Sequence, residues 1–135
     1  MAQTLDQKRA QFSWQSVVSV HKASGGSFDT YKNMAKGAPA LIMGNGLMPT
    51  LAYWSSRSSS NKEAGEAILN DVLRWLNERY EGNPDWTPTP RNFPQAMECL
   101  FKAKSSFYMQ ATDETLAMLK WLRQFADSVD ATEVN

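Results

Sequence analysis

The sequence predicts an all-α protein, a single compact bundle of about five to six helices joined by short Gly- and Pro-containing corner turns. Two observations support this prediction. Apolar residues recur three or four positions apart along most of the chain, and no segment shows the alternation of a half-buried strand. Residues that favour helix ends separate the periodic segments. At 135 residues the chain is typical of one domain, so we predict one helical domain over residues 1–135, with a tail that frays from about residue 128.

The first helix is predicted over residues 4–22. Thr4 and Gln7 have the spacing of a capping box, in which each side chain binds the other residue's backbone N–H. One face of the helix is predicted to be apolar, and its residues are Ala10, Trp14, Val17, Val18 and His21. Phe12 falls on nearly the opposite face with Lys8 and Arg9, which makes it a candidate subunit contact. Gly25 and Gly26 are predicted to end this helix, and Ser27 to begin a second one that runs to about Lys36.

The segment from Lys36 to Trp54 is apolar yet rich in Gly and Pro. Because both residues are unfavourable inside helices, we predict that they mark corners. Gly37 ends the second helix, Pro39 begins a single apolar turn, Gly44-Asn45-Gly46 stops that turn, and residues 47–54 form another short helix.

The remaining segments predict three longer helices. The first covers about residues 62–80, after a polar loop at residues 55–60 and a cap at Asn61. A proline-rich connector over residues 82–94 leads to a helix over about 94–110. Thr112 is predicted to cap the last helix, with Asp113 and Glu114 in its first turn, where the helix dipole favours acids.

Composition excludes several classes of protein. The 14 basic and 14 acidic residues balance, so net charge indicates no particular partner. Three acids follow Arg123, which leaves the rest of the chain slightly basic. A single cysteine excludes an internal disulfide framework and favours a reducing compartment. We find neither a secretory signal nor an apolar run of the roughly 20 residues that would span a membrane, so a cytoplasmic protein without a membrane partner is expected.

The residues with potential chemistry do not form a catalytic or cofactor pattern. One histidine and one cysteine cannot supply a typical zinc site, so we predict no metal, no cofactor and no catalytic residues. His21 and Cys99 are expected to be core or boundary residues. Gly44-Asn45-Gly46 lacks the residues that complete a phosphate-binding loop. Asp113 and Glu114 are explained by their place at a predicted helix start.

A few cations do not fit a purely structural role. Lys104 is predicted on the same helix face as Leu100 and Phe107, where its stem could extend past the core or mark the rim of an anion-binding groove. Lys120 and Arg123 fall on the outer face of the last helix, with Leu116 one turn before them. Leu116 beside two cations resembles a contact surface.

Three segments together resemble the small-subunit family of the type III-B CRISPR RNA-silencing assembly, the Cmr complex. The segments that carry the resemblance are the start at Leu5–Trp14, the central Lys36, Pro39–Met43, Asn45–Leu47 and Leu51–Trp54, and the C-terminal Tyr108, Ala111–Leu116 and Trp121–Ala126. They cover nearly the whole chain in order. At Met109 the chain departs from the family, because many relatives have a basic residue there.

The resemblance implies an all-helical, non-enzymatic protein whose copies stack into a filament beside the guide–target RNA duplex. The implied partners are the backbone subunit, the large subunit, further copies of this chain, guide RNA and single-stranded target RNA. The implied contacts with the target RNA backbone are Lys36, Lys104, Lys120 and Arg123, and the candidate subunit contacts are Phe12, Asn45 and Leu116. Two alternatives remain: a helical adaptor that binds only protein, and a hydrolase with an unrecognised site.

Overall fold

Six α-helices and one short 3₁₀ helix make up the structure, a computed structural model that describes residues 2–24, 28–56 and 62–130. The α-helices are α1 (Leu5–Ser24), α2 (Phe28–Asn45), α3 (Leu47–Ser55), α4 (Lys62–Arg79), α5 (Phe93–Lys102) and α6 (Ser105–Asp130). The 3₁₀ helix covers Pro84–Trp86. Across these three ranges there is no strand, which confirms the all-α prediction.

The longest helix, α6, is the centre of the bundle and packs against α1, α2 and α4. Met118, Leu119 and Leu122 on α6 are fully buried. The short α3 packs on α4 and α5, and all six helices contribute side chains to one continuous apolar core. Burial of amphipathic faces against neighbouring helices is what stabilises helices of this length.

The start of α1 has the predicted capping box. The backbone N–H of Thr4 donates to Gln7 Oε1 at 2.7 Å, and the N–H of Gln7 donates to Thr4 Oγ1 at 3.1 Å. The predicted position of Phe12 on an outer face is wrong, because Phe12 is buried between α1 and α4 with its ring 5.2 Å from Trp75. Helix α1 has neighbours on more than one side, so its buried surface is wider than the predicted stripe.

Helix α2 continues through Gly37 and Pro39, where the sequence predicted a helix end and a new turn. A proline inside a helix lacks one N–H bond and costs about 3 kcal/mol. The uninterrupted helix buries Tyr31, Ala35 and Ile42 along one side, and this packing outweighs the local preference. The predicted corner lies only at Gly46, which has φ of 94° and donates its N–H to Ile42 O at 2.7 Å. Helix α3 follows over nearly its predicted range.

The break between the last two helices also differs from the prediction. Helix α5 ends at Lys102, and α6 begins at Ser105 and continues past Thr112. Thr112 is therefore not a cap, and its Oγ1 donates to Tyr108 O at 2.9 Å inside the helix. The backbone N–H of Lys104 lies at the break and donates to Asp85 Oδ1 at 3.3 Å. The apolar periodicity alone predicts one continuous helix here, whereas in the structure the helix is interrupted where Lys104 contacts the connector.

The connector between α4 and α5 contains a well-packed element. Trp86 in its 3₁₀ helix is fully buried, and the indole N–H donates to Asn77 Oδ1 at 2.8 Å. At the other end of the chain α6 extends to Asp130 with Val129 buried, beyond the predicted start of fraying. The predictions for residues 25–27, 57–61 and 131–135 fall outside the described residues.

Candidate nucleic-acid interface

The inner face of α6 carries a buried carboxylate, Glu114, that joins three helices. Arg9 on α1 donates from Nε to Oε2 at 2.6 Å, Arg79 on α4 donates from Nε to Oε1 at 3.2 Å, and the Trp75 indole N–H donates to Oε2 at 3.1 Å. Burial alone would raise the pKa of Glu114, but these hydrogen bonds outweigh it and hold the pKa below its ordinary value. Glu114 is therefore a structural joint.

Sequence reasoning assigned Glu114 to a helix start, and that assignment is wrong. A signal was present, because Glu114 lies three residues after Ala111 and four before Met118, both of which are buried. A carboxylate inside an apolar stripe indicates buried partners, since an unpaired buried charge is unfavourable.

The outer face of α6, unlike the inner face, carries two cations without an ion pair to a described residue. Lys120 and Arg123 are exposed and lie one helical turn apart. Neither has an ion pair within 4.0 Å among the residues that the structure describes. The pKa of Asp6 on α1 is lowered chiefly by the hydrogen bond from the Trp121 indole, next by Arg9, and least by the nearby charge of Lys120.

Two lysines of α2 extend this surface. Lys36 Nζ is 3.5 Å and Lys32 Nζ 4.0 Å from Asp127 Oδ1, and Asp127 follows Arg123 by one turn of α6. We define the basic patch as Lys32, Lys36, Lys120 and Arg123. Asp127 pairs with both of these lysines of α2, whereas Lys120 and Arg123 have no ion pair with a described residue, so the uncompensated positive charge of this surface lies on α6.

Lys104 does not belong to the basic patch. It precedes Lys120 by 16 positions, which corresponds to about 24 Å along a helix. The prediction that it shares an inward face with Leu100 and Phe107 is wrong, because it lies at the break before α6 and is exposed. The structure therefore brings together three of the four predicted RNA contacts, Lys36, Lys120 and Arg123, and leaves the fourth apart.

The predicted subunit contacts differ in exposure. Asn45 is exposed at the end of α2, Leu116 is partly buried against the core, and Phe12 is buried. The large apolar side chains that are exposed were not singled out as contacts by sequence reasoning: Met43 at 76%, Met109 at 66%, Phe101 at 65% and Tyr53 at 47%. Outward positions on α2, α3, α5 and α6 were the available signal, but the helix breaks had to be known first.

The described residues offer no group of three His, Cys, Asp or Glu side chains placed to hold a metal ion. Cys99 is half-buried with Sγ 3.5 Å from Pro88 O, and burial raises the pKa of its thiol, which disfavours a nucleophilic thiolate. The His21 ring packs edge-on against Phe28 at 4.8 Å, as expected for a boundary residue. Among the helices of the described residues, none is long and apolar enough to cross a bilayer.

Comparisons with known proteins agree with the sequence resemblance. The family model described as CRISPR-associated protein (Cas_Cmr5) matches residues 5–129. A curated relative, the CRISPR system Cmr subunit Cmr5 of Thermus thermophilus, is 29% identical over 126 residues, which are 93% of this chain and 96% of the relative. The crystal structure of a CRISPR-associated Cmr5 family protein from the same organism has a TM-score of 0.74 at 27% identity, covering 95% of this chain and 98% of that one.

Proposed function

This chain belongs to the Cmr5 family of CRISPR-associated proteins, and from that premise we propose that it is a non-catalytic small subunit of a type III-B effector. In this role it stacks with further copies along the guide–target RNA duplex and contacts the target RNA backbone without reading sequence. The observation that supports the RNA contact is the basic patch, in which Lys120 and Arg123 are exposed and have no ion pair among the described residues.

The chemistry of the patch suits phosphate rather than bases. Ammonium and guanidinium groups attract phosphodiesters at any sequence, and such contacts position a protein on a nucleic acid without specifying bases. In RNA-guided recognition, base pairing with the guide supplies the specificity. Exposed cations on α2 and α6 are therefore sufficient for a subunit that holds the target strand.

Contacts with other subunits require a different surface. Met43, Phe101 and Met109 are each more than half exposed, and large apolar side chains are favoured at the centres of protein interfaces. We assign them, with Asn45, as the leading candidates for contact with the backbone subunit or with a further copy. The joint at Glu114 keeps α1, α4 and α6 in a fixed relation, as a subunit that acts as a spacer requires.

The test uses the assembled effector with its guide RNA. A variant with Lys120→Glu and Arg123→Glu is expected to assemble in normal stoichiometry but to retain less target RNA. The matched control reverses two exposed lysines outside the patch, Lys22 and Lys62, and is expected to retain target RNA normally. Equal retention by the two variants would instead favour the second candidate function.

That second candidate is a helical adaptor that binds only protein. It is favoured by the balanced charge of 14 basic and 14 acidic residues and by the exposed apolar side chains. An adaptor predicts that substituting Met109 or Phe101 by Asp disrupts assembly, while reversal of the basic patch changes nothing. A nuclease assay of the purified chain, with and without divalent metal, tests the non-catalytic role; turnover would contradict it.

A further inference from the structure

A cleft of roughly 380 Å³ lies between α1, α4 and the segment before α5, on elements that carry none of the basic patch. Its size is within the range of ligand-binding pockets, about 300 to 1,000 Å³. The residues that matter for its chemistry are Ser19, Val20, Ala67, Asn70, Arg74 and Arg91.

Arg74 is held in position at this cleft by three contacts. Its Nη2 donates to Ser16 Oγ at 2.7 Å and lies 3.7 Å from Asp71 Oδ1, and the guanidinium lies over the Phe12 ring at 5.0 Å from the centroid. The side chain nevertheless remains 56% exposed. Because a guanidinium has five N–H donors, an oriented group with open donors remains available to an anion.

Arg91 adds a second arginine to the lining of the same cleft. Its backbone N–H donates to Gln95 Oε1 at 2.8 Å, whereas its exposed side chain has no ion pair within the described part of the chain. The acid that lines the cleft, Asp71, is only 4% exposed and accepts a 2.6 Å hydrogen bond from Tyr31. An anion in this cleft therefore meets two arginines and a shielded carboxylate, while the exposed Glu78 lies with Arg74 in the neighbouring groove at Phe12.

In two other clefts of the molecule the carboxylates outnumber the cations. Two carboxylates, Asp113 and Glu114, accompany Arg9 in one of them. Lys102 lies with Asp85 and Glu98 in the other. The cleft at Arg74 and Arg91 also differs in offering a partly exposed apolar surface from Val20 and Ala67 together with the exposed polar side chains of Ser19 and Asn70.

We propose that this cleft binds one nucleotide of single-stranded RNA, with Arg74 and Arg91 on its phosphate. The apolar surface takes the ribose or base, and Ser19 and Asn70 are placed to hydrogen-bond a 2′-hydroxyl, the group that distinguishes RNA. This combination favours RNA over an acidic protein segment, which would need the cations alone. The inference rests on the proposed function and adds a second RNA contact at a different place in the fold.

Two indole signals can report the two contacts separately in NMR spectra of the full chain. Trp86 Nε1–H is bonded to Asn77, which lines the cleft, and Trp121 Nε1–H is bonded to Asp6 beside Lys120 of the basic patch. Titration with an oligouridylate is expected to shift the Trp86 signal saturably. Arg91→Ala is expected to weaken that response about tenfold, as loss of one charged hydrogen bond does, without changing the Trp121 response.

The control is Lys62→Ala, which removes an exposed cation of α4 away from the cleft and is expected to leave both responses unchanged. A shift of the Trp121 signal without a shift of the Trp86 signal would contradict RNA binding in the cleft and support RNA binding at the basic patch. A shift of the Trp86 signal alone would support RNA binding in the cleft and not at the basic patch. No shift of either signal would contradict both. Two further ligands test the assignment to RNA phosphate: uridine without phosphate, and oligoglutamate. If either one shifts the Trp86 signal as strongly as the oligouridylate does, the assignment is wrong.

Discussion

The inner and outer faces of α6 carry charge in opposite ways. On the inner face Glu114 receives hydrogen bonds from Arg9, Arg79 and Trp75, so both of its carboxylate oxygens are paired. On the outer face Lys120 and Arg123 extend into solvent without an ion pair to any described residue. Satisfied charges in the interior fix the arrangement of helices, whereas unsatisfied cations at the surface are available to an outside partner.

A second buried carboxylate sharpens this comparison within the interior. Asp71 on α4 accepts hydrogen bonds from Tyr31 Oη, at 2.6 Å, and from the Ser16 side chain, and its Oδ1 is 3.7 Å from Arg74 Nη2. Burial raises the pKa of Asp71 to about 6, because the Tyr31 hydrogen bond, the attraction of Arg74 and the Ser16 hydrogen bond compensate it only in part. Glu114 and Asp71 are thus both buried but differ in how fully the ionised form is stabilised.

The largest expected effect is on the joint at Glu114. Glu114→Ala is expected to lower the free energy of unfolding by about 3 kcal/mol, because Arg9 and Arg79 lose the carboxylate that compensates their partial burial. Chemical denaturation measures this change. A loss below about 1 kcal/mol would show that the arginines find other partners and that the joint contributes little.

A smaller effect is expected at Tyr31. Tyr31→Phe removes the 2.6 Å hydrogen bond to Asp71 and is expected to lower the free energy of unfolding by about 1.5 to 2 kcal/mol. The same variant should raise the pKa of Asp71 further, since a donor that favours the ionised form is lost. Denaturation at neutral pH tests the first expectation, and carboxyl titration by NMR tests the second.

The two carboxylates also predict opposite responses to pH. The pKa of Asp71 is about 6 in the folded state against about 3.8 when unfolded, so the folded state binds the proton more tightly. Asp71 therefore makes the protein more stable as the pH falls from about 7 to about 5, by roughly 1 kcal/mol. The stability that comes from Glu114, whose folded pKa is lowered, is lost only below about pH 4.5.

Denaturation curves of the wild type and of Asp71→Asn across this range isolate the first effect. Their difference in unfolding free energy should change as the pH falls from about 7 and should level off below about pH 4, where the unfolded carboxyl is protonated as well. A constant difference would mean that Asp71 is not titrating where its burial and its contacts with Tyr31 and Arg74 place it.

Sequence patterns predicted features that depend on neighbouring residues along one helix. The capping box of Thr4 and Gln7 and the corner at Gly46 are local, and both are present. Continuation of α2 through Pro39 and the break at Lys104 are set by packing and by Asp85, which are distant in sequence. Local propensity cannot register such contacts.

The residues of the candidate site show the same difference between local features, which the sequence predicts, and features that depend on distant contacts. Exposure of Lys120 and Arg123 is a matter of helical position and was predicted correctly. Association of Lys36 with α6 through Asp127 depends on how α2 packs, and the separation of Lys104 depends on where α6 begins. The cleft at Arg74 and Arg91 joins three segments and left no pattern in the sequence.

The smallest effect on stability and the largest on binding are expected from the same variant. Lys120→Ala with Arg123→Ala removes only exposed side chains, so the free energy of unfolding should change by less than about 0.5 kcal/mol. Thermal or chemical denaturation checks this, and an unchanged fold makes the variant suitable for testing the basic patch.

The most direct test is the salt dependence of single-stranded RNA binding by the full chain. Each phosphate contact on a single strand contributes about 0.7 to the slope of log affinity against log salt, so Lys120→Ala with Arg123→Ala should reduce the steepness by about 1.4. The same measurement on the Lys22→Ala, Lys62→Ala control should give the wild-type slope. A double variant at the patch that keeps the wild-type slope would contradict the account.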